Sequence, residues 1–276
     1  MDYDIGIVKK RRIISPDDCY FAVPVIAAGG NTTTAEIITL LGSAIVGIWD
    51  ADLGVAVTGA NVTSWTDQSS NSYVLGLNAA GGTVAPTSPQ FSSSSYNSKA
   101  GISFTAASRQ YLATTSAAIT LNSNVSSWFV AVQMAASSQD YCRVLSFLAS
   151  TETRDYFDTN SMGALIRDSS TQAFNWVQGN VFGTSSVAII YDTPTRMGTV
   201  IDGTNVIVYK NNTLGSTALR NVTLGVGGGS QLAVGQASNP LGDGDALLTG
   251  VIRRILVTNT AVSSGDRSSI DSWLQG

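Results

Sequence analysis

The sequence predicts an all-β protein, a sandwich of two antiparallel sheets with two short helices, and three observations carry that expectation. Runs of β-branched and aromatic residues bounded by Gly, Asn, Asp or Pro recur at 128–134, 143–148, 187–191, 196–201 and 252–257. Charged residues make up only 12% of the chain, while Ser, Thr, Asn and Gly crowd the stretches between those runs, as in strands joined by polar turns. The 276 residues are 43% hydrophobic, enough for one large core, and no internal repeat divides them.

Taken in order, residues 1–44 carry too few apolar positions in any helical or strand period to bury a core of their own, and they read as an N-terminal docking arm. Its contact residues would be Lys9, Lys10, Arg11, Arg12, Tyr20 and Phe21, laid on a neighbouring subunit or on the chain's own sandwich. Within it, Thr33 followed by Glu36 forms a capping box that predicts a helix over 34–41, delivering the chain to Trp49. Residues 45–276 then form the sandwich, with the Ser92 to Ser95 run as a short loop. A closing helix over 264–274 takes Ser263 as cap and Asp266 at its positive end, and puts Ile270, Trp273 and Leu274 on one face.

Composition also narrows the partners. A net charge of −4 argues against nucleic acid, because the cations at 9–12 are flanked by Asp2, Asp4, Asp17 and Asp18. Residues 20–28 are apolar but too short to span a bilayer, and Asp17 and Asp18 break the layout of an export signal. No membrane partner and no exported precursor are therefore expected.

Several segments in order resemble concanavalin A-like, laminin G-like jelly-roll domains. They are residues 48–51 (IWDA), 62–71 (VTSWTDQSSN), Pro86, 99–104 with 110–112 (KAGISF, QYL), 203–213 (GTNVIVYKNNT), 232–235 (LAVG) and 248–252 (LTGVI), followed by the helix ending at Trp273 and Leu274. The resemblance spans roughly residues 45–276 and implies that Trp49, Trp65, Trp128 and Trp273 are core residues. It also implies calcium as the one cofactor to consider, on Asp67 and Asn71 or on Asp243 and Asp245, although structural turns are the favoured reading of both pairs and no cofactor is expected. The acidic residue usual after its Gly-x-Ile segment is replaced here by Arg253 and Arg254.

Absences shape the chemistry that is expected. The chain has no histidine, which removes Ser-His-Asp and Cys-His arrangements and His-ligated zinc. Its two glutamates, Glu36 and Glu152, lie outside any Glu-x-Asp-x-x-Glu strand, and Asp155 and Asp158 read as loop residues. The expectation is a non-enzyme. Glycan binding would need exposed rings, for which Tyr156, Phe157, Trp176 and Phe182 are the candidates, the alternative being that they are core strand residues. Cys19 and Cys142 are either buried thiols or a disulfide that staples the arm within or between chains.

Laminin G-like domains are common in the collar, head-decoration and fibre proteins of tailed bacteriophages. The resemblance therefore implies a structural or accessory virion protein, assembled in the host cytoplasm and carried on the extracellular particle. Its partners would be other virion proteins and copies of itself. The alternative is a carbohydrate-binding adhesin contacting host surface polysaccharide.

Overall fold

The computed structural model describes residues 32–79, 86–115, 118–122, 124–138, 142–149, 162–168, 173–178, 181–219, 230–236 and 247–276. Helix α1 (Thr34–Leu41) starts at the predicted capping box: Thr33 Oγ1 accepts from the Glu36 N–H at 3.2 Å, and Glu36 Oε2 accepts from the Thr33 N–H at 2.7 Å. The bond from the Thr33 N–H, with a second from the Thr33 hydroxyl at 2.9 Å, holds the Glu36 carboxyl below its ordinary range. The strands follow as β1 (Ile45–Asp50), β2 (Val55–Thr58), β3 (Asn61–Thr66), β4 (Val74–Gly76), β5 (Gln90–Tyr96), β6 (Lys99–Phe104), β7 (Leu112–Ala113), β8 (Val125–Met134) and β9 (Arg143–Ala149). They continue as β10 (Met162–Asp168), β11 (Ala173–Gln178), β12 (Val181–Ala188), β13 (Thr195–Asp202), β14 (Asn205–Lys210), β15 (Thr213–Leu219), β16 (Ser230–Val234) and β17 (Gly250–Thr258), before the closing helix α2 (Ser264–Gln275).

Among the described residues the named strands pair antiparallel, with isolated parallel bridges at Leu77–Ala113 and Thr87–Gln110. One layer runs β15–β14–β13–β8–β17. The free edge of β17 is shared: Gly250 to Ile252 pair with β6, and Arg254 to Thr258 pair with β1. A register shift between Ile252 and Arg254 marks the changeover. The other layer runs β4–β7–β16–β9–β10–β11–β12. Trp49, Trp128, Val130, Ile255 and Val257 of the first layer share one core with Leu145, Phe147, Leu232 and Val234 of the second. The rings of Trp128 and Phe147 meet edge to face at 5.9 Å. This is the all-β sandwich that the sequence predicts, and Trp49, Trp65, Trp128 and Trp273 are all fully buried in it.

The first layer is covered on its other face as well. Ile48, Phe129, Ala131, Val200 and Leu256 join Ile37 of α1 and Ile270, Trp273 and Leu274 of α2 in a second cluster. Burial on both faces explains why β1 is apolar without alternation, every residue of it being buried. Within the segment 1–44, the residues from Thr32 onward thus include a helix packed on the sandwich. Lys9, Lys10, Arg11, Arg12, Cys19, Tyr20 and Phe21 lie outside the described residues.

The bulge in β17 puts two arginines side by side at the junction of β1, α1 and α2. Arg254 Nε donates to Asp50 Oδ2 at 2.9 Å, and Arg253 Nη2 donates to Asp52 Oδ2 at 2.7 Å. Asp50 Oδ2 also accepts from Thr34 Oγ1 at 2.7 Å, and that hydroxyl accepts from Trp273 Nε1 at 3.0 Å. Arg254 Nη1 donates to the Trp273 carbonyl, and Arg253 Nη1 reaches the Ala100 carbonyl at 3.0 Å. Burial pulls the Arg254 guanidinium down from its ordinary value, while Asp50 pushes it back up. These arginines tie the helices to the sheet.

Two local expectations change. Ser92 to Ser95 lie within strand β5, not in a loop, because Gln90 to Ser92 pair with β6 before the register shifts by Tyr96. The run expected at 187–191 breaks off at Ala188, and Ile190 is 52% exposed. The β5–β6 turn then returns Tyr96 to the core, where its hydroxyl donates to the Thr195 carbonyl at 3.5 Å. Burial pushes the Tyr96 hydroxyl up to about 12, opposed by Arg196, Arg253 and Arg254. A raised folded-state value means that the proton favours the folded chain, so the stability it contributes is present below pH 10 and is lost as pH rises from about 10 to about 12. Urea midpoints measured from pH 9 to pH 12 should fall in that window for the wild type and fall less for Tyr96→Phe; identical slopes would refute the assignment.

Candidate functional site

The tip of the β14–β15 hairpin presents a braced polar turn at the surface. Asn211 and Asn212, at φ 49° and 62°, form the two-residue turn between the paired Lys210 and Thr213, a left-handed conformation that asparagine tolerates well. Both asparagines brace the tip. The Arg196 N–H donates to Asn211 Oδ1 at 3.0 Å, and the Asn211 N–H donates to the Arg196 carbonyl at 2.7 Å. On α2, Arg267 Nε donates to Asn212 Oδ1 at 2.8 Å while its guanidinium lies 4.0 Å over the Tyr209 ring. At the base of the hairpin, Asp202 Oδ1 accepts from the Thr204 and Asn205 N–H groups at 2.8 and 2.7 Å. Burial opposes those bonds, which nonetheless hold the Asp202 carboxyl below its ordinary range.

Beside this tip the two layers come together. A Cβ on Gly215 would stand 1.8 Å from Val187 Cγ1, so only glycine there lets the end of β12 close against β15. The closure leaves an open depression of about 470 Å³ with a mixed lining: Val187, Ala188, Leu214 and Gly215 are apolar, and Lys210, Asn211 and Thr213 are polar. Lys210 Nζ donates to the Ala188 carbonyl at 2.9 Å, which positions the ammonium across the junction. Leu214 is 58% exposed. On the side of the tip facing α2, Tyr209, Asn212, Arg196, Arg267 and Asp271 line a crevice of about 10 Å³, room for a single water, and Arg196 Nε donates to Asp271 Oδ1 at 2.8 Å.

The residues singled out in the sequence fall elsewhere or lie partly out of view. Asp67 and Asn71 are brought together, but for structure and not as a cation pair. Asp67 Oδ1 accepts from the Ile48 and Ser69 N–H groups at 2.7 and 2.9 Å, Oδ2 accepts from Ser69 Oγ at 2.5 Å, and Asn71 Nδ2 donates to the Val46 carbonyl at 3.0 Å. The carboxylate is buried and supplied with donors, so the segment is a turn that clamps β1. No group of three acidic or cysteine side chains suited to a metal occurs among the described residues. Asp243, Asp245, Tyr156 and Phe157 lie outside the described residues, while Trp176 is on β11 and Phe182 on β12, two paired strands that lead to Val187. Cys142 is buried just ahead of β9. Lys210, Asn211 and Leu214 were not singled out: in the sequence they read only as strand and turn of the hairpin.

Comparison with solved structures places the architecture. Domain 4 of AbnA, an extracellular arabinanase from Geobacillus stearothermophilus solved with arabinotriose, superposes with a TM-score of 0.60 at 12% identity over 84% of this chain and 98% of that one. An arabinofuranosidase complexed with arabinofuranosyl-alpha-1,2-xylobiose gives 0.58 at 13% identity, and the sialidase of Trypanosoma rangeli with 2,3-difluorosialic acid gives 0.50 at 10%. These cover 78% and 83% of this chain, but it spans only 50% of the arabinofuranosidase and 32% of the sialidase. No protein-family model and no curated protein matches the sequence.

These neighbours overturn the expectation that the chain is not an enzyme. They are an arabinanase domain, an arabinofuranosidase and a sialidase, so the sandwich occurs within glycan-cleaving proteins. That expectation rested on missing histidine and on the lack of a Glu-x-Asp-x-x-Glu strand, yet glycoside hydrolysis needs no histidine and its two carboxylates need not share one strand.

Proposed function

We propose that the chain is a carbohydrate-binding β-sandwich whose ligand lies along the β14–β15 hairpin tip and the end of β12. The depression beside that tip carries the proposal. Its volume of about 470 Å³ suits a sugar unit or two, Leu214 offers an apolar surface to a ring face, and Lys210, Asn211 and Thr213 offer polar groups to hydroxyls. The arabinanase domain solved with arabinotriose supports the reading through its shared architecture. None of the three neighbours is a virion component by its description. The virion setting inferred from the sequence is thus a proposal about where the sandwich is displayed.

Affinity electrophoresis of the full chain through gels containing arabinan, xylan or polygalacturonate tests this. At least one polymer should retard the wild type, and Leu214→Asp should weaken that binding by about tenfold or more, equivalent to about 1.4 kcal/mol. Leu214 is exposed, so the variant's melting temperature should be unchanged. Retardation by no polymer, or full binding by the variant, would refute the proposal.

A further inference from the structure

We infer that the preferred ligand is an acidic polysaccharide, one bearing carboxylates or sulfates, read by cations grouped around the β14–β15 tip. This inference rests on the carbohydrate-binding proposal and goes beyond it in naming the ligand's charge. Three cations, Lys210, Arg196 and Arg267, line the depression and the adjoining crevice, and Asp271 is the one carboxylate in their described lining. The chain as a whole carries a net charge of −4, so this concentration runs against its overall balance.

The donors are held in place yet unfilled. Arg196 uses Nε on Asp271 and Arg267 uses Nε on Asn212, leaving the terminal nitrogens of both guanidiniums without a hydrogen bond among the described residues. The stack of Arg267 on Tyr209 fixes its plane, and the Nε bond to Asp271 orients Arg196. Lys210 spends one donor on the Ala188 carbonyl and keeps two. A guanidinium fixed in this way suits the two oxygens of a carboxylate or sulfate better than a single sugar hydroxyl. Asn211 lines the depression and Asn212 the crevice, so a polymer crossing the turn would meet both sets of donors.

Titration calorimetry with polygalacturonate and with debranched arabinan, each at low and moderate salt, tests the inference. Polygalacturonate should bind more tightly than arabinan and weaken severalfold with salt, because partly exposed charges are screened over about 10 Å at 0.1 M. Lys210→Gln and Arg267→Gln should each weaken polygalacturonate by about tenfold, with Arg267→Lys recovering part of the loss. Should Arg267→Gln lower the melting temperature, Lys210→Gln alone decides, since its side chain holds a single surface bond. Arabinan binding without polygalacturonate binding, equal salt-independent binding of both, or polygalacturonate binding unmoved by Lys210→Gln would overturn the acidic-ligand inference and leave the carbohydrate reading intact. Binding of neither polymer would overturn the inference and, together with an empty electrophoresis screen, the carbohydrate reading as well.

Discussion

Asp50→Ala is expected to destabilise the chain by about 3–5 kcal/mol, because it removes the buried counter-charge of Arg254 and leaves that guanidinium only the half-exposed Asp52 carboxylate at 3.5 Å. Asp50 is 2% exposed and Arg254 8% at the side chain, so water does not replace the lost partner. For a unit of this size, that loss is a fall of roughly 6–20 °C in the melting temperature. Arg254→Met should be costly for the mirror reason, since it leaves the Asp50 carboxylate with only Thr34 Oγ1 and the Asp52 N–H as donors. The double variant Asp50→Ala with Arg254→Met closes the cycle on these two single changes. Removing both charges should cost less than the sum of the single changes, with a coupling of about 1–3 kcal/mol. Strictly additive losses in urea melts would show that the two side chains do not act as a pair.

This cluster also shows where the sequence is legible and where it is not. The helix caps at Thr33 and Ser263 were readable because donor and acceptor lie three residues apart, and each forms as expected. The four core tryptophans were readable through the jelly-roll resemblance, and each is buried as that resemblance implies. Arg253 and Arg254 registered only as a departure from the family pattern, since Asp50 lies 204 residues upstream of Arg254 and reaches it only through the β1–β17 pairing.

The same distance hid the candidate site. Lys210 and Leu214 gain their setting from Val187 and Ala188, on a strand that belongs to the other layer, and nothing in the sequence around Gly215 shows that Val187 is pressed against it. Asp67 stayed open in the sequence for a different reason. A Trp-x-Asp-x-x-x-Asn spacing suits a cation and a tight turn equally, and only the backbone N–H groups of Ile48 and Ser69 aimed at the carboxylate decide for the turn.

Trp273→Ala is the second large effect, at about 3–5 kcal/mol, the usual range when a buried aromatic is cut to a methyl. The ring is fully buried between α1, α2 and the first layer, its indole N–H donates to Thr34 Oγ1, and the Arg254 guanidinium lies 5.3 Å from its centroid. Trp273→Phe keeps most of the apolar volume but removes the donor, so it should lose roughly 1–2 kcal/mol from that bond, plus whatever the smaller ring leaves unfilled. Because Thr34 links Trp273 to Asp50, the Trp273→Ala and Asp50→Ala losses should not add. Hydrogen exchange gives the most local readout. An eight-residue helix such as α1 is too short to persist without its packing, so in Trp273→Ala the amides of α1 should exchange faster together with those of α2. If α1 kept wild-type protection while α2 lost its own, the helices would be docked independently, and the Thr34 hydroxyl would be a bystander instead of the joint between them.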